Sequence, residues 1–341
     1  MSVETFPSTT DQTFLNNRTR HSLLRDIHAR QEQLKWLSWQ IIFSFNNIGY
    51  WLGYNQAQFS NTRIPGETRT SPTPMEDTMT TKALCIGIND YPGTANDLSG
   101  CVNDANDWAA EFRGRGFEVR LMLDTQAKLA PMIEGISDLI TTSVKGDNLI
   151  ITYSGHGTWV PDSSGDELDG RDEALCPYDL ATAGALLDDV IHALFSRRPA
   201  GVRIVLISDS CHSGSVTRGR EDDLDPGVAK IRFMPPEAWM AKDQLPPPEL
   251  SRATPRGGFT RAGGDLLLAG CQDSEYSWDT SFQGRPNGAF TYYALKTLRD
   301  VEPRNYDAWF RAIRSYLPST RLPQSPQIFG TRTARLFRIF Q

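Results

Sequence analysis

From Lys82 onward, apolar and polar positions alternate between two periods. Ala83–Ile88 is a short apolar run closed by Asn89-Asp-Tyr-Pro-Gly93, which predicts a strand followed by a turn. Asn103–Arg113 has helical spacing, Phe117–Leu123 reads as a strand, and Leu129–Val144 is an amphipathic helix. Asn148–Tyr153 is a second apolar strand, running into Ser154-Gly-His-Gly157. An acidic, glycine-containing loop is expected over 158–184, then a helix over Leu187–Phe195. Val202–Ile207 is a further buried strand, ending in Ser208-Asp-Ser-Cys-His-Ser-Gly214. Residues 216–262 carry many prolines and charges and read as a long loop. Asp265–Ala269 is a strand, Gly288–Leu298 and Tyr306–Leu317 are helices, and Gln327–Phe329 is placed to close the sheet. Strands alternating with helices predict an α/β fold with a mostly parallel central sheet and helices on both faces.

Residues 1–79 break this pattern. They are rich in Thr, Asn, Ser and Gln and end in the loop-like Ile64–Pro74, so they read as a weakly ordered N-terminal extension. Trp36–Tyr54 is aromatic and apolar, but Asn46 and Asn47 fall near its middle. A span needs about 20 predominantly apolar residues, so membrane contact through 36–54 is not expected. Met79 stands directly before the first strand and would be a natural start.

Composition narrows the function classes. The 341 residues carry 35 Lys plus Arg against 41 Asp plus Glu, a net charge of −6. An acidic chain without a basic stripe argues against nucleic acid as the partner and favours cationic ligands. The cysteines are Cys85, Cys101, Cys176, Cys211 and Cys271, an odd number without a C-x-x-C pair. That pattern points to a reducing, cytoplasmic compartment, with most of them buried as small hydrophobes.

Ligands of open α/β sheets bind at the carboxyl ends of the strands. Two strands here end in polar sequences that bring up His156 and Cys211. A nearby His turns a Cys into a nucleophile, and flanking glycines leave N–H groups free for an oxyanion. The two residues are 55 positions apart (211 − 156), close to the spacing of about 50 in caspases. A Gly-x-Ser-x-Gly elbow is absent, which disfavours a serine hydrolase.

Six stretches occur in the order of one known family: Ala83–Asn89, Leu98–Asp104, Tyr153–Gly157, Asp169–Glu173, Asp209–Ser215 and Leu267–Gly270. On these the chain resembles a metacaspase or bacterial orthocaspase, of the caspase-like cysteine peptidases. The resemblance covers about 82–340 and implies a caspase-like three-layer sandwich. The peptidase domain would be 80–341: a large-subunit-like part 80–215, a linker 216–262 and a small-subunit-like part 263–341. It further implies Cys211 as nucleophile and His156 as general acid/base, with the N–H groups of Gly157 and Cys211 as oxyanion hole. Cleavage would follow Arg or Lys in protein or peptide substrates, the basic side chain being held by Asp104, Ser154 and Asp209. A monomer is implied. The competing reading is a catalytically silent caspase-like module that binds partners or cationic peptides; inactive relatives typically lose the Cys or the His, and this chain keeps both.

Two further expectations concern regulation. Between Thr158 and Asp189 Arg171 is the sole base among many carboxylates, a density that suits Ca²⁺. It is not an EF-hand, because Glu167 stands where the loop glycine must be. The resemblance places a calcium site on Asp172, Asp188 and Asp189. Its usual fourth carboxylate position is Arg218 here, a cation that repels Ca²⁺, leaving Glu221 or Asp222 as substitutes under a different loop arrangement. For a peptidase cutting after basic residues, Arg218, Arg220, Lys230, Arg232, Lys242, Arg252, Arg256 and Arg261 are candidate self-cleavage sites. Tyr276 and Trp278 are candidates to line a substrate subsite.

Overall fold

The computed structural model describes residues 80–162, 170–211, 229–245, 265–272 and 275–341. Residues 1–79, including Trp36–Tyr54, lie outside them. The first seven strands are β1 (Thr81–Gly87), β2 (Glu118–Leu123), β3 (Asn148–Ser154), β4 (Gly157–Pro161), β5 (Arg171–Leu175), β6 (Leu186–Leu187) and β7 (Arg203–Asp209). They are followed by β8 (Ala229–Ile231), β9 (Leu266–Ala269), β10 (Trp278–Phe282), β11 (Arg285–Gly288) and β12 (Gln327–Gly330). The longer helices are α1 (Cys101–Gly114), α2 (Leu129–Thr141), α3 (Asp188–Phe195), α4 (Ala289–Val301) and α5 (Tyr306–Arg314).

The central sheet has the order β12-β9-β7-β3-β1-β2. Its pairs are parallel except β12 against β9, so the edge strand expected at Gln327 closes the sheet antiparallel. The inner strands carry near-continuous apolar runs, such as Leu149–Ile151 and Ile204–Ile207, because both faces are covered. Ala83 and Cys85 of β1, Ile150 of β3 and Val205 and Ile207 of β7 face the side carrying Trp108 and Phe112 of α1, Phe290 of α4 and Trp309 of α5. Their neighbours Leu84, Ile86, Leu149, Ile151, Ile204 and Leu206 face the other side, against Met132 and Ile136 of α2 and Ile191 and Phe195 of α3. This period of two produces the three layers that the sequence predicts. Among the described residues no helix is long and apolar enough to cross a membrane.

Two stretches differ from expectation. The loop expected over 158–184 contains the antiparallel pair β4–β5, with β6 beside β5. Its charges disguised it: Arg171, Asp172 and Glu173 are buried strand residues, and the Arg171 guanidinium lies 4.4 Å from the centre of the Trp159 ring. The stretch expected as a long loop over 216–262 contains β8, which joins β10 and β11 in a separate three-stranded antiparallel sheet.

The start of α1 is fixed from outside the helix. Asn89 Oδ1, just past β1, accepts the N–H groups of Cys101 and Val102 at 2.8 and 3.2 Å. Side-chain acceptors satisfy helix-start donors in this way. A Cβ on Gly87 would come within 2.7 Å of Ala105 Cβ, so only glycine lets α1 approach the end of β1 this closely. The outcome is that Asp104, in the first turn of α1, is buried at the carboxyl edge of the sheet.

Candidate active site

Ser154 ends β3 and Asp209 ends β7, and the two are opposite one another in the parallel register. His156 and Cys211 each follow two residues later, on the same sheet edge. Both are buried. The N–H of Gly157 and the N–H of Cys211 donate to one acceptor, the main-chain carbonyl of Arg232, at 3.0 and 3.1 Å. The two expected oxyanion donors therefore converge on a single oxygen, which belongs to a peptide bond of the chain itself.

His156 Nε2 lies 2.7 Å from the carbonyl of Asn96. A carbonyl only accepts, so Nε2 carries the proton and Nδ1 keeps its lone pair. Nδ1 is buried without a hydrogen-bond partner among the described residues. The His156 main-chain N–H donates to the Tyr91 hydroxyl at 3.0 Å, and the two rings are 5.0 Å apart. Tyr153 Oη in turn donates to the His156 carbonyl at 2.6 Å. Burial pushes the His156 imidazole down to about 4, so the ring is neutral around neutral pH. Cys211 Sγ faces Ser277, donating to its carbonyl at 3.6 Å and accepting its N–H.

The Arg232 side chain enters the expected basic-residue pocket and is 0 % exposed. Its Nη2 lies 2.7 Å from Asp104 Oδ2 and 2.8 Å from Asp279 Oδ1, and its Nη1 3.2 Å from Asp209 Oδ2. Burial works against the guanidinium charge, but Asp209, Asp104 and Asp279 over-compensate and hold its pKa well above the usual value. Burial raises the Asp104 carboxyl to about 6, against the pull of Arg232.

The carboxylates are also held by neutral donors. Asp104 Oδ1 accepts Asn287 Nδ2 at 2.9 Å and the Gly288 N–H at 3.1 Å. Asp209 accepts the Ser277 hydroxyl, and the N–H and hydroxyl of Thr291 at 2.9 and 2.8 Å. Asp279 accepts the N–H groups of Ser99 and Gly100 at 2.7 and 3.0 Å. Such preorganised donors offset the cost of burying three carboxylates around one cation.

Of the expected pocket residues, Asp104 and Asp209 meet the guanidinium directly. Ser154 is buried beside Asp209 in the register, and its carbonyl accepts the Ile88 N–H at 3.0 Å. Asp279, the third carboxylate, was missed by the sequence reading, which saw only Tyr276 and Trp278 in that stretch. The polar run Asp279-Thr-Ser281 has no apolar period to mark it as a strand.

The expected calcium ligands are dispersed in character. Asp172 and Asp188 are buried, Asp189 is exposed, and Asp188 Oδ1 accepts the Asp189 N–H at 2.9 Å. Among the described residues no group of three or more His, Cys, Asp or Glu side chains is arranged to hold a metal ion. Arg218, Glu221 and Asp222 lie outside the described residues.

One consequence of the buried imidazole is measurable. In a Cys211→Ala chain, NMR titration of His156 is expected to give a midpoint near 4, below the ordinary His value of about 6.5. Between those two values the unfolded chain binds the proton and the folded chain does not, so His156 makes the fold less stable as pH falls through that window. Asp104, raised to about 6, has the opposite sign, its contribution falling as pH rises, so the residue-specific titration is the decisive readout. A His156 midpoint at or above 6.5 would contradict the buried neutral imidazole.

Comparison with known proteins points the same way as the geometry. Residues 81–218 match the family model described as metacaspase, peptidase C14 domain. The chain is 31% identical over 313 residues to Metacaspase-1 of Cryptococcus neoformans, covering 80% of this chain and 68% of that protein. It is 30% identical over 297 residues to Metacaspase-1 of Mycosarcoma maydis, covering 76% and 72% respectively. The chain thus spans about two thirds of the length of these relatives. A crystal structure of a Geobacter sulfurreducens protein is 32% identical, with a TM-score of 0.59, over 77% of this chain and 98% of that one. With its sheet edge bearing His156 and Cys211, this chain belongs to the metacaspases, a family of caspase-like cysteine peptidases.

Proposed function

We propose that this metacaspase is an endopeptidase that cuts after Arg or Lys, and that its first substrate is its own Arg232–Phe233 bond. One observation carries the reading: Arg232 is bound as a substrate residue would be. Its carbonyl takes both oxyanion donors, its guanidinium meets three carboxylates, and its N–H donates to the Ser277 carbonyl at 3.0 Å. The preceding residues Ala229–Ile231 extend β10 antiparallel, the way a peptide adds to a sheet edge. All these groups come from one chain, so the reaction needs no second copy.

The Cys211 thiol passes its proton to the neutral imidazole of His156, whose free lone pair is on Nδ1. The thiolate attacks the carbonyl carbon after the basic residue, and the electron pair moves to the oxygen held by the Gly157 and Cys211 N–H groups. The C–N bond then breaks, His156 returns the proton to the leaving amine, and a thioester remains on Cys211. Water attacks the thioester and releases the acid, regenerating the thiol. While Ala229–Met234 fills the cleft, an external substrate competes with a tethered one, which is the physical basis of latency and self-processing. The silent-module reading gains no observation of its own.

The assay is hydrolysis of matched fluorogenic peptides ending in Arg, Lys or Asp by the wild-type and Cys211→Ala chains. Turnover of Arg and Lys peptides that is lost in the variant is expected, with Asp peptides inert. Cleavage after Asp, or equal cleavage by both chains, would overturn the assignment. Asp279→Asn keeps an acceptor for Ser99 and Gly100 but removes one charge from the pocket. It is expected to lower kcat/KM on Arg peptides by about 10- to 100-fold, the worth of one charged hydrogen bond. Unchanged Arg kinetics would remove Asp279 from the pocket.

A further inference from the structure

The bound self-segment continues past the bond after Arg232, and that continuation carries information about substrates. The Met234 N–H donates to the Gly157 carbonyl at 2.9 Å, while the Gly157 N–H donates to the Arg232 carbonyl. Gly157 thus grips the chain on both sides of residue 233, forming a parallel bridge with it. The main chain is fixed across the bond to be cut, so the following side chains have defined directions.

Those side chains are large, apolar and buried. Phe233 is 8 % exposed and lies in the apolar cluster on the α1 side of the sheet, which also holds Trp159, Trp278 and Cys211. Met234 is 3 % exposed and lies in the opposite cluster, with Tyr91, Tyr153 and Leu180. Successive residues of an extended chain point to opposite sides, so two separate seats are filled. Downstream, Trp239 Nε1 donates to Thr158 Oγ1 at 3.2 Å, extending the contact along β4. On the other side of the bond the side chain of Lys230 is exposed, its Nζ reaching the Asp97 carbonyl at 2.7 Å, and Ile231 is half-buried. Burial is therefore concentrated at the basic residue and the two positions that follow it.

We propose that the cleft selects large apolar residues at both positions following the cut, so that the substrate class is a basic residue followed by two bulky hydrophobes, as in Arg232-Phe233-Met234. The inference rests on the reading of the site as a peptidase cutting after Arg or Lys. Seats inside these two apolar clusters gain from burying apolar surface and penalise a carboxylate or a small residue, which desolvates a charge or leaves the seat unfilled.

The test uses the wild-type chain and internally quenched peptides of the form Ala-Lys-Ile-Arg-X-Z, with the cut position read by mass spectrometry. X-Z is Phe-Met, Phe-Gly, Gly-Met, Gly-Gly or Asp-Asp. Cleavage after Arg in all series is expected, with kcat/KM falling about tenfold or more when either seat is emptied and most for Asp-Asp. Cleavage after Arg at rates independent of X and Z would overturn this inference and leave the Arg reading standing. Failure to cut any of the peptides would overturn the Arg reading and this inference with it.

Discussion

Replacing Cys211 by Ala is expected to remove essentially all peptide turnover and to leave the chain uncut at Arg232–Phe233. In the proposed mechanism this sulfur forms the covalent intermediate, and the N–H of the same residue donates to the Arg232 carbonyl. Loss of a nucleophile in a comparable machine costs on the order of 10⁶-fold in kcat. The substitution removes one buried sulfur and leaves the Cys211 N–H to Arg232 bond available, so the fold and the occluded cleft should persist. That separates chemistry from binding. Peptide hydrolysis in the variant within about tenfold of wild type, an arbitrary fraction of the expected loss, would mean another group is the nucleophile.

Gly288→Ala is expected to be almost as damaging, for a reason unrelated to backbone freedom. Gly288 has φ −70° and ψ 138°, values open to any residue. The added Cβ would lie 2.5 Å from Nη1 and 2.6 Å from Cζ of the bound guanidinium, and closer still to Asp209 Oδ2. The space a methyl group would take is the space the basic side chain occupies. Losing a buried charged partner costs about 3–5 kcal/mol, so kcat/KM for Arg and Lys peptides should fall at least about 10²- to 10³-fold. The Arg232 latch should be expelled at the same time. Steady-state kinetics on both peptides, with folding followed by circular dichroism, checks this, and Arg turnover equal to wild type would mean the guanidinium of substrates binds elsewhere.

What could be read from the sequence follows physical rules. The central strands were legible because a parallel sheet buried on both faces demands near-continuous apolar runs such as Leu149–Ile151 and Ile204–Ile207. His156 and Cys211 stood out because each follows such a run within a polar, glycine-containing sequence. Strand β5 was hidden because Arg171, Asp172 and Glu173 imitate a solvated loop, though all three are buried. Arg232 was hidden for the same reason among the prolines and charges of 216–262, and appeared only as one of eight cleavage candidates. Its role comes from Asp104, Asp209 and Asp279, on three elements far apart in the chain. No local pattern encodes a charge that becomes buried by long-range pairing.

The Arg232–Phe233 bond itself gives the most direct measurement of self-processing. Purified wild-type and Cys211→Ala chains should be compared by intact mass and by N-terminal sequencing of any fragment. A fragment beginning at Phe233 is expected from the wild-type chain and none from Cys211→Ala. A wild-type chain that hydrolyses Arg peptides yet is never cut between Arg232 and Phe233 would contradict the view that Arg232 lies in the cleft as a substrate.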